Sequence, residues 1–224
     1  DWFRRIASLQ RSRRCIEIEV VAADFRVRFF GVDLVLEMAL HDPKFMQPQS
    51  ILHFWFEELT PKQHFVKDAA LDEAIRTRFG ATLVAAAKGE LWTWRSTPEG
   101  RLAEIIVLDQ FSRNIFRDTP RAFAQDALAL VLAQELVASG QDGSLPVAQR
   151  IFAYMPYMHS ESALVHTQAV TLFSQPGMEY NLDYEHRHKA IIDRFGRYPH
   201  RNAILGREST AEELAFLSEP GSSF

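Results

Sequence analysis

From about residue 46 onward the sequence predicts an all-α fold, in which short connections between helices favour packed antiparallel hairpins. Two observations support this prediction. Nearly every segment after Met46 repeats its apolar residues with helical spacing. The starts of several helices are also marked, because threonine is a good N-cap and proline fits the first helical position. These markers are Thr60-Pro61, Thr97-Pro98 and Thr119-Pro120.

The periodic segments define the predicted helices in order. They span approximately residues 49–58, 67–88, 98–116, 120–138, 145–157, 161–174, 181–196 and 210–217. The segment "AFAQDALALVLAQELVASG" reads as a nearly all-apolar helix with a Ser-Gly stop. Thr60 with Gln63, and Ser209 with Glu212, have the spacing of a capping box. We therefore predict one all-helical domain over residues 46–224.

Residues 1–45 have a different character. The opening "DWFRRIASLQRSRR" is rich in arginine, and "CIEIEVV" and "FRVRFF" alternate apolar and polar residues as strands do. An isolated strand pair is marginally stable without a larger sheet. We interpret residues 1–45 as an upstream extension that is not part of the native domain, which would then start at Met46.

Composition excludes several classes of function. The net charge of −4 argues against a nucleic-acid partner, which needs a basic face. No apolar stretch is long enough to suggest a membrane span. The single cysteine, Cys15, permits no intrachain disulfide and favours a reducing, cytoplasmic location. Phosphate-binding glycine loops, dinucleotide fingerprints and metal-ligand spacings are absent from the sequence, so no cofactor and no metal are expected.

One predicted helix places charged residues on an apolar face. In "GRLAEIIVLDQFSRNIFR", Asp109 and Arg113 fall in the middle of the stripe formed by Leu102, Ile105 and Phe116. The opposite face is apolar too, so the helix should be central and buried. A buried aspartate is costly unless it is paired. A self-contained Asp109–Arg113 pair accounts for these two residues but leaves the nearby Asn114 and Arg117 unexplained.

A second group of polar residues follows the helix at 181–196. His188 lies at the centre of its apolar face, where a histidine is more often a satisfied core residue than a ligand. The helix leads into "RFGRYPHRN", where Gly196 is a plausible stop. This stretch holds three arginines and a histidine but no lysine, which is more directional hydrogen-bonding capacity than solubility requires.

The segment "YMPYMHSES" supplies a third candidate. Ser160 is expected to cap the following helix, and Glu161 fits the first turn of such a helix. His159 is not explained by capping.

Five motifs together resemble a known family. "ILHFWFEEL", "GRLAEIIVLDQFSRNIFR", "TPRAFAQDALAL", "YMPYMHSE" and "RFGRYPHRNAILGREST" are similar, in this order, to the bacterial domain-of-unknown-function family 924. The resemblance implies a tetratricopeptide-like, all-helical superhelix and no assigned activity. Ser112 stands where many members have proline. The signature positions that the resemblance implies are Asp109, Gln110, Arg113, Asn114, His159, Ser160, Glu161, His188, Arg197, His200, Arg201 and Asn202.

These observations favour a polar pocket for a small anionic ligand, a carboxylate or a phosphate. His188, His159 and His200 are the proton-transfer candidates, and the sequence leaves open whether any reaction is catalysed. The candidate binding residues are Asp109, Arg113, Asn114, Arg117, His159, Glu161, His188, Arg197, His200, Arg201 and Asn202. Seven of them, from three separate segments, should converge around one cavity: Asp109, Arg113, His159, His188, Arg197, His200 and Arg201.

A tetratricopeptide-like scaffold for a protein or peptide is the alternative. In that case the polar cluster contacts an acidic peptide end or is purely structural. A closed pocket would favour the small ligand, and a long open groove would favour the scaffold. The sequence does not indicate an oligomeric state.

Overall fold

A computed structural model of the protein describes residues 17–21, 24–28 and 46–222. The chain divides into two units, residues 1–44 and 45–224. In the first unit, β1 (Glu17–Val21) pairs antiparallel with β2 (Asp24–Arg28), with Glu17 opposite Arg28. Both strands fall in the segments where alternation predicted them. Most of residues 1–45, including Cys15, lies outside the described residues. The interpretation of this segment as an upstream extension outside the native domain therefore stays a prediction.

The described residues of the second unit form helices joined by turns and contain no strand, so the predicted all-α fold is confirmed. Its α-helices are α1 (Pro48–His53), α2 (Ala69–Ala87), α3 (Pro98–Ile106), α4 (Ser112–Ile115), α5 (Asp126–Ala138), α6 (Val147–Met158), α7 (Ala163–Phe173), α8 (Glu179–Phe195) and α9 (Ala211–Leu217). Two π-helical turns, Phe54–Glu58 and Val107–Phe111, extend α1 and α3. Short 3₁₀ segments lie at Trp92–Ser96, Pro120–Phe123, Gln141–Ser144 and Pro199–Arg201. The superhelical, tetratricopeptide-like arrangement stays a prediction.

The segment from α3 through its π-helical turn is the centre of the core. Leu102, Ile105, Ile106 and Phe111 are completely buried, so the prediction of a central helix is confirmed. Helix α3 packs against α1, α5 and α6. A π-helical turn inserts one extra residue into a helix, a feature that often occurs at functional sites, and here the turn includes Asp109.

Local sequence accounts for the entry into α3. Thr97 is its N-cap, with Oγ1 accepting a hydrogen bond from the Gly100 N–H at 3.0 Å, and Pro98 occupies the first helical position. Gly100 is required because a Cβ there would lie 2.0 Å from the Trp94 carbonyl oxygen. The Thr-Pro marker therefore predicted this helix start correctly.

Other capping expectations need correction. Pro61 begins a turn rather than an α-helix, and the capping box of α9 uses Thr210 and Glu213 instead of Ser209 and Glu212. Helix α7 begins after Ser162, so Ser160 is not its cap. For α7 and α9 the actual N-caps, Ser162 and Thr210, are hydroxyl residues close to the predicted ones, so the sequence offered two equally good patterns.

The last helices form a smaller apolar cluster beside the main core. Ile191, Ile192 and Tyr198 are buried, and Phe195 and Phe216 pack against them. Gly196 ends α8 with φ of 67°, the left-handed conformation in which glycine is favoured. This turn directs the chain into the 3₁₀ segment that contains Arg201.

We expect that deleting residues 1–45 leaves the helical content and melting temperature of the remaining protein unchanged, because residues 46–222 contain a hydrophobic core of their own. Circular dichroism of the full chain and of the deleted chain would measure both quantities. A fall in melting temperature of more than about 2–4 °C, which corresponds to roughly 1 kcal/mol for a domain of about 150–250 residues, would mean that the first segment stabilises the helical unit.

Candidate functional site

The polar centre of the molecule is the carboxylate of Asp109, whose side chain is 1% exposed. Its Oδ1 lies 2.8 Å from Nη1 of Arg113 and 2.8 Å from Nδ1 of His159, and its Oδ2 accepts a 2.6 Å hydrogen bond from Gln110. Burial alone would raise the pKa of the Asp109 carboxyl. Arg113, His159 and these hydrogen bonds outweigh burial and hold that pKa well below its usual range. Asp109 is therefore ionised and acts only as an acceptor.

This environment fixes the tautomer of His159, which caps the C-terminus of α6. Because the Asp109 carboxylate cannot donate, Nδ1 of His159 must bear the hydrogen in their shared bond. Burial, and then Arg113, lower the pKa of His159 despite the attraction of Asp109, so the ring is neutral near pH 7. Its Nε2 is then a lone-pair acceptor, accessible to solvent and hydrogen-bonded to no described residue.

Arg113 joins Asp109 to a second acid, Asp126 of α5. Its two terminal nitrogens donate to the two carboxylate oxygens of Asp126 at 3.0 Å each, and Nη1 also donates to the Asp109 carbonyl oxygen at 2.8 Å. Burial alone would lower the pKa of Arg113, but the two aspartates reverse this effect and raise it. Arg113 is consequently a fully compensated cation.

Arg201 lies beside this network with far weaker pairing. It is 6% exposed, and its guanidinium carbon lies 4.7 Å and 4.4 Å from the ring centroids of Phe123 and Tyr198. Its one hydrogen bond within the described residues is long, 3.4 Å from Nη1 to Oδ2 of Asp126. Its buried Nε–H has no partner there. Burial, and then repulsion from Arg113, lower the pKa of Arg201.

Glu161 is an acid of the same region with a dedicated partner. Arg207 donates to its two carboxylate oxygens at 2.6 and 2.9 Å, and the backbone N–H of Tyr198 donates to Oε1 at 2.8 Å. Burial alone would raise the pKa of Glu161, but Arg207 and the Tyr198 N–H lower it. Glu161 is thus ionised, and its charge is already balanced.

A cavity of about 410 Å³ opens between the 3₁₀ segment before α5, the end of α6 and the 3₁₀ segment after α8. Three of the predicted site residues, His159, Glu161 and Arg201, line it. Asp126 also lines it, and Asp109 and Arg113 contact these lining residues directly. The cavity therefore lies where the buried Asp109–Arg113 network and the partly exposed Glu161–Arg207 pair come together.

The two remaining histidine candidates lie around the ring of Tyr198. The His188 and His200 rings are 5.7 and 5.4 Å from it, and Nδ1 of His188 donates to the Tyr184 carbonyl oxygen at 2.8 Å. Burial lowers the pKa of His188 to about 3 and that of His200 to about 4. Neither is among the residues lining the cavity. Both therefore pack as neutral aromatic rings.

The structure does not bring Arg117 and Asn114 to the cavity. Both bind Asp72 of α2: Arg117 donates to its two carboxylate oxygens at 2.6 and 2.7 Å, and Asn114 donates at 2.8 Å. Burial alone would raise the pKa of Asp72, but these donors lower it. The two residues left unexplained by the sequence thus tie α2 to the chain around α4.

Arg197 and Asn202 also have structural partners. Arg197 donates to Glu213 at 2.6 and 2.8 Å and to the Glu208 carbonyl oxygen at 2.9 Å. Asn202 donates to Ser209 and accepts from Arg207, each at 3.0 Å. "RFGRYPHRN" therefore serves two purposes: Arg197 and Asn202 hold the chain that leads into α9, and Arg201 faces the cavity.

Sequence analysis missed the acids and the tyrosine of this region. Asp72 and Asp126 lie in the first turns of α2 and α5, where an acid is usually explained by the helix dipole. Arg207 and Tyr198 were not predicted as site residues, although both lie in the family motif "RFGRYPHRNAILGREST". The sequence did contain one usable signal. An arginine predicted to be buried needs an acid as its partner, so acids elsewhere in the chain should have been considered as partners.

A further buried pair, His166 and Glu185, was also missed. Both side chains are completely buried, with Nδ1 of His166 2.7 Å from Oε1 of Glu185. Nε2 of His166 donates to the Ser160 carbonyl oxygen at 2.8 Å. Burial raises the pKa of Glu185 even though His166 opposes the shift. This pair links α7 to α8 behind Tyr198, whose hydroxyl lies 3.2 Å from His166.

Residues 17–21, 24–28 and 46–222 contain no group of three or more His, Cys, Asp or Glu side chains placed to hold a metal ion. Over the same residues, no helix has the length and apolar character needed to cross a membrane.

Fold and site together define a protein whose second unit is helical and holds a cavity in which one arginine, two carboxylates and a histidine lie among apolar residues. Residues 51–221 match the family model described as "Bacterial protein of unknown function (DUF924)". The chain belongs to this family. It is also similar to a solved structure, the protein of unknown function ATU0120 from Agrobacterium tumefaciens, with 39% identity and a TM-score of 0.73. That similarity covers 76% of this chain and 96% of the other. No curated protein matches the sequence.

Proposed function

We propose that the cavity binds a small anionic ligand, a carboxylate or a phosphate, through Arg201. The observation that supports this proposal is the incomplete pairing of a buried cation. Arg201 is 6% exposed, yet within the described residues it makes one hydrogen bond of 3.4 Å and its Nε–H has no acceptor. Buried guanidinium groups are normally paired and hydrogen-bonded, because an uncompensated buried charge is costly.

The other charged groups at the cavity are already compensated. Arg113 has Asp109 and Asp126, and Glu161 has Arg207, in each case with short hydrogen bonds. The charges of these groups and Arg201 sum to zero, so the site has no general positive potential. What it offers is one cation whose only hydrogen bond within the described residues is long, and a bound carboxylate or phosphate oxygen would accept from its terminal N–H groups.

Size and boundaries also favour a small ligand. The cavity volume of about 410 Å³ lies within the roughly 300–1,000 Å³ typical of small-molecule sites. The lining residues come from three short segments, residues 120–130, 156–161 and 201–205. A scaffold for an extended peptide would need a longer surface. An acidic peptide end remains the alternative ligand, since its carboxylate presents the same chemistry to Arg201.

Arg201→Gln tests this proposal against a structural role for the same arginine. We expect it to reduce the affinity for inorganic phosphate and for acetate about tenfold or more, since a charge-assisted hydrogen bond is lost. The melting temperature should be unchanged or slightly higher, because a poorly compensated buried charge has been removed. Isothermal titration calorimetry and thermal unfolding would measure the two effects.

Arg197→Gln is the matched control from the same nine-residue stretch. It leaves Glu213, which is 2% exposed, without its bidentate partner, so the melting temperature should fall by several degrees while anion binding by the folded protein is retained. Binding of neither anion by the unmodified protein would contradict the proposed function. Equal losses of stability in the two variants would contradict it too, because Arg201 would then be a structural residue.

A further inference from the structure

The cavity wall combines one available cation with several groups that only accept hydrogen bonds. Nε2 of His159 is a lone-pair acceptor, because the ionised Asp109 holds the hydrogen on Nδ1. Two carboxylates, Asp126 and Glu161, line the same cavity and are acceptors as well. A ligand that offers only acceptor oxygens would satisfy Arg201 but would place its remaining oxygens against these lone pairs.

We propose that the site selects anions that also carry a hydroxyl donor, of which hydrogen phosphate is the simplest, and that His159 Nε2 accepts the hydrogen bond from that hydroxyl. The inference rests on the proposed function, since it needs Arg201 to bind the anionic oxygens. Asp109 acts as a positioning residue, because it contacts His159 rather than the ligand and fixes which ring nitrogen is the acceptor.

The physical basis is the cost of mismatched hydrogen-bonding groups in a partly buried site. A site built to bind a hydroxyl rejects an analogue that lacks one, because its own polar groups are left unpaired. His159 is well suited to this role because its side chain is 16% exposed at the cavity and its other nitrogen is held by a 2.8 Å bond to Asp109. A ligand hydroxyl on Nε2 would also lie where a general base acts.

Phosphate and sulfate provide the discriminating pair. Both are tetrahedral and similar in size, and near neutral pH hydrogen phosphate has a P–O–H group whereas sulfate has none. We expect calorimetric titration near neutral pH, at matched ionic strength, to give phosphate an affinity about tenfold or more above that of sulfate. The preference should shrink in His159→Gln, because the glutamine amide can donate to sulfate as well as accept from phosphate.

Three other outcomes would each contradict a different part of the proposal, and they can be distinguished from one another. Equal affinity for the two anions in the unmodified protein rejects the selection by hydroxyl and leaves the anion site intact. Binding of neither anion rejects the proposed function itself. An undiminished preference in a folded His159→Gln protein means that another group discriminates, which rejects the role of His159.

A second measurement on the unmodified protein covers the case in which His159→Gln does not fold. Protonation of His159 converts Nε2 into a donor, so sulfate affinity should rise as the pH falls below neutrality. The charged and titratable groups around this ring are Asp109, Arg113, Asp126 and His188, together with Glu161 and Arg201 on the same cavity wall. The nitrogen chemical shifts of His159 should show hydrogen on Nδ1 near neutral pH. A ring with hydrogen on Nε2 would contradict the proposal regardless of the binding data.

Discussion

Replacing Asp109 with asparagine should lower the free energy of unfolding by about 3–5 kcal/mol, the cost of breaking a buried ion pair by removing one partner. Donors from Arg113, His159 and Gln110 surround the carboxylate, and its side chain is 1% exposed. An asparagine amide would turn two N–H bonds toward groups that are themselves donors. It would also leave Arg113 with Asp126 as its remaining carboxylate partner.

Asp118→Asn is the matched control, because it removes the same charge from a solvent-exposed pair. Asp118 bonds Lys67 at 2.6 Å, with both side chains 67% exposed, and surface pairs of this kind contribute about 0–1 kcal/mol. Its φ of 58° is a conformation that asparagine tolerates well. Urea unfolding of both variants measures the difference. Similar small losses at the two positions would mean that the Asp109 network does not stabilise the fold.

The sequence was sufficient to predict where buried charges lie along a helix. Asp109 and Arg113 interrupt an apolar stripe, and the structure places both inside, paired at 2.8 Å. Helical periodicity reports which face of a helix a residue occupies, and burial follows from the apolar neighbours on that face. The same argument predicted the central position of α3 and the end of α8 at Gly196, which the structure confirms.

Periodicity does not report which residues another segment places opposite that face. Arg117 binds Asp72, 45 positions earlier in the chain, and Arg207 binds Glu161, 46 positions earlier. Pairings over such distances depend on how the helices pack. Sequence reasoning therefore grouped Arg117 and Arg197 with Arg201 because they share a chemistry, whereas the structure separates them by the acids they contact.

Mild acidification should destabilise the helical unit strongly, with the largest loss between about pH 6.5 and pH 4.5. His188 and His200 have pKa values of about 3 and about 4 in the folded protein, against an ordinary value of 6.5, because burial disfavours the charged imidazolium. A folded pKa below the unfolded one means that stability is fully present above pH 6.5 and is lost as the pH falls toward the folded values.

Each histidine should contribute a loss on the order of 2 kcal/mol over this range, since one pKa unit corresponds to about 1.4 kcal/mol. The acids act in a lower range. Asp72 and Glu161 have lowered pKa values, so their contribution is lost below their ordinary values of 3.8 and 4.5. The contribution of Glu185 to stability depends on pH in the opposite direction. Because its pKa is raised in the folded protein, Glu185 stabilises the fold at low pH and partly offsets these losses. As the pH falls, the loss of stability that comes from the two histidines therefore begins before the loss that comes from Asp72 and Glu161.

Urea unfolding midpoints measured across this pH range would test the assignment. His188→Gln and His200→Gln should each flatten the dependence of stability on pH, because each removes one buried group that must otherwise become charged. His186→Gln is the control on the same helix: its side chain is exposed to solvent, so the pH profile should keep its slope. A profile that is flat between pH 6.5 and pH 4.5 in the unmodified protein would show that the rings around Tyr198 accept protons without unfolding. A polar role at the cavity would then have to replace the packing role assigned to them.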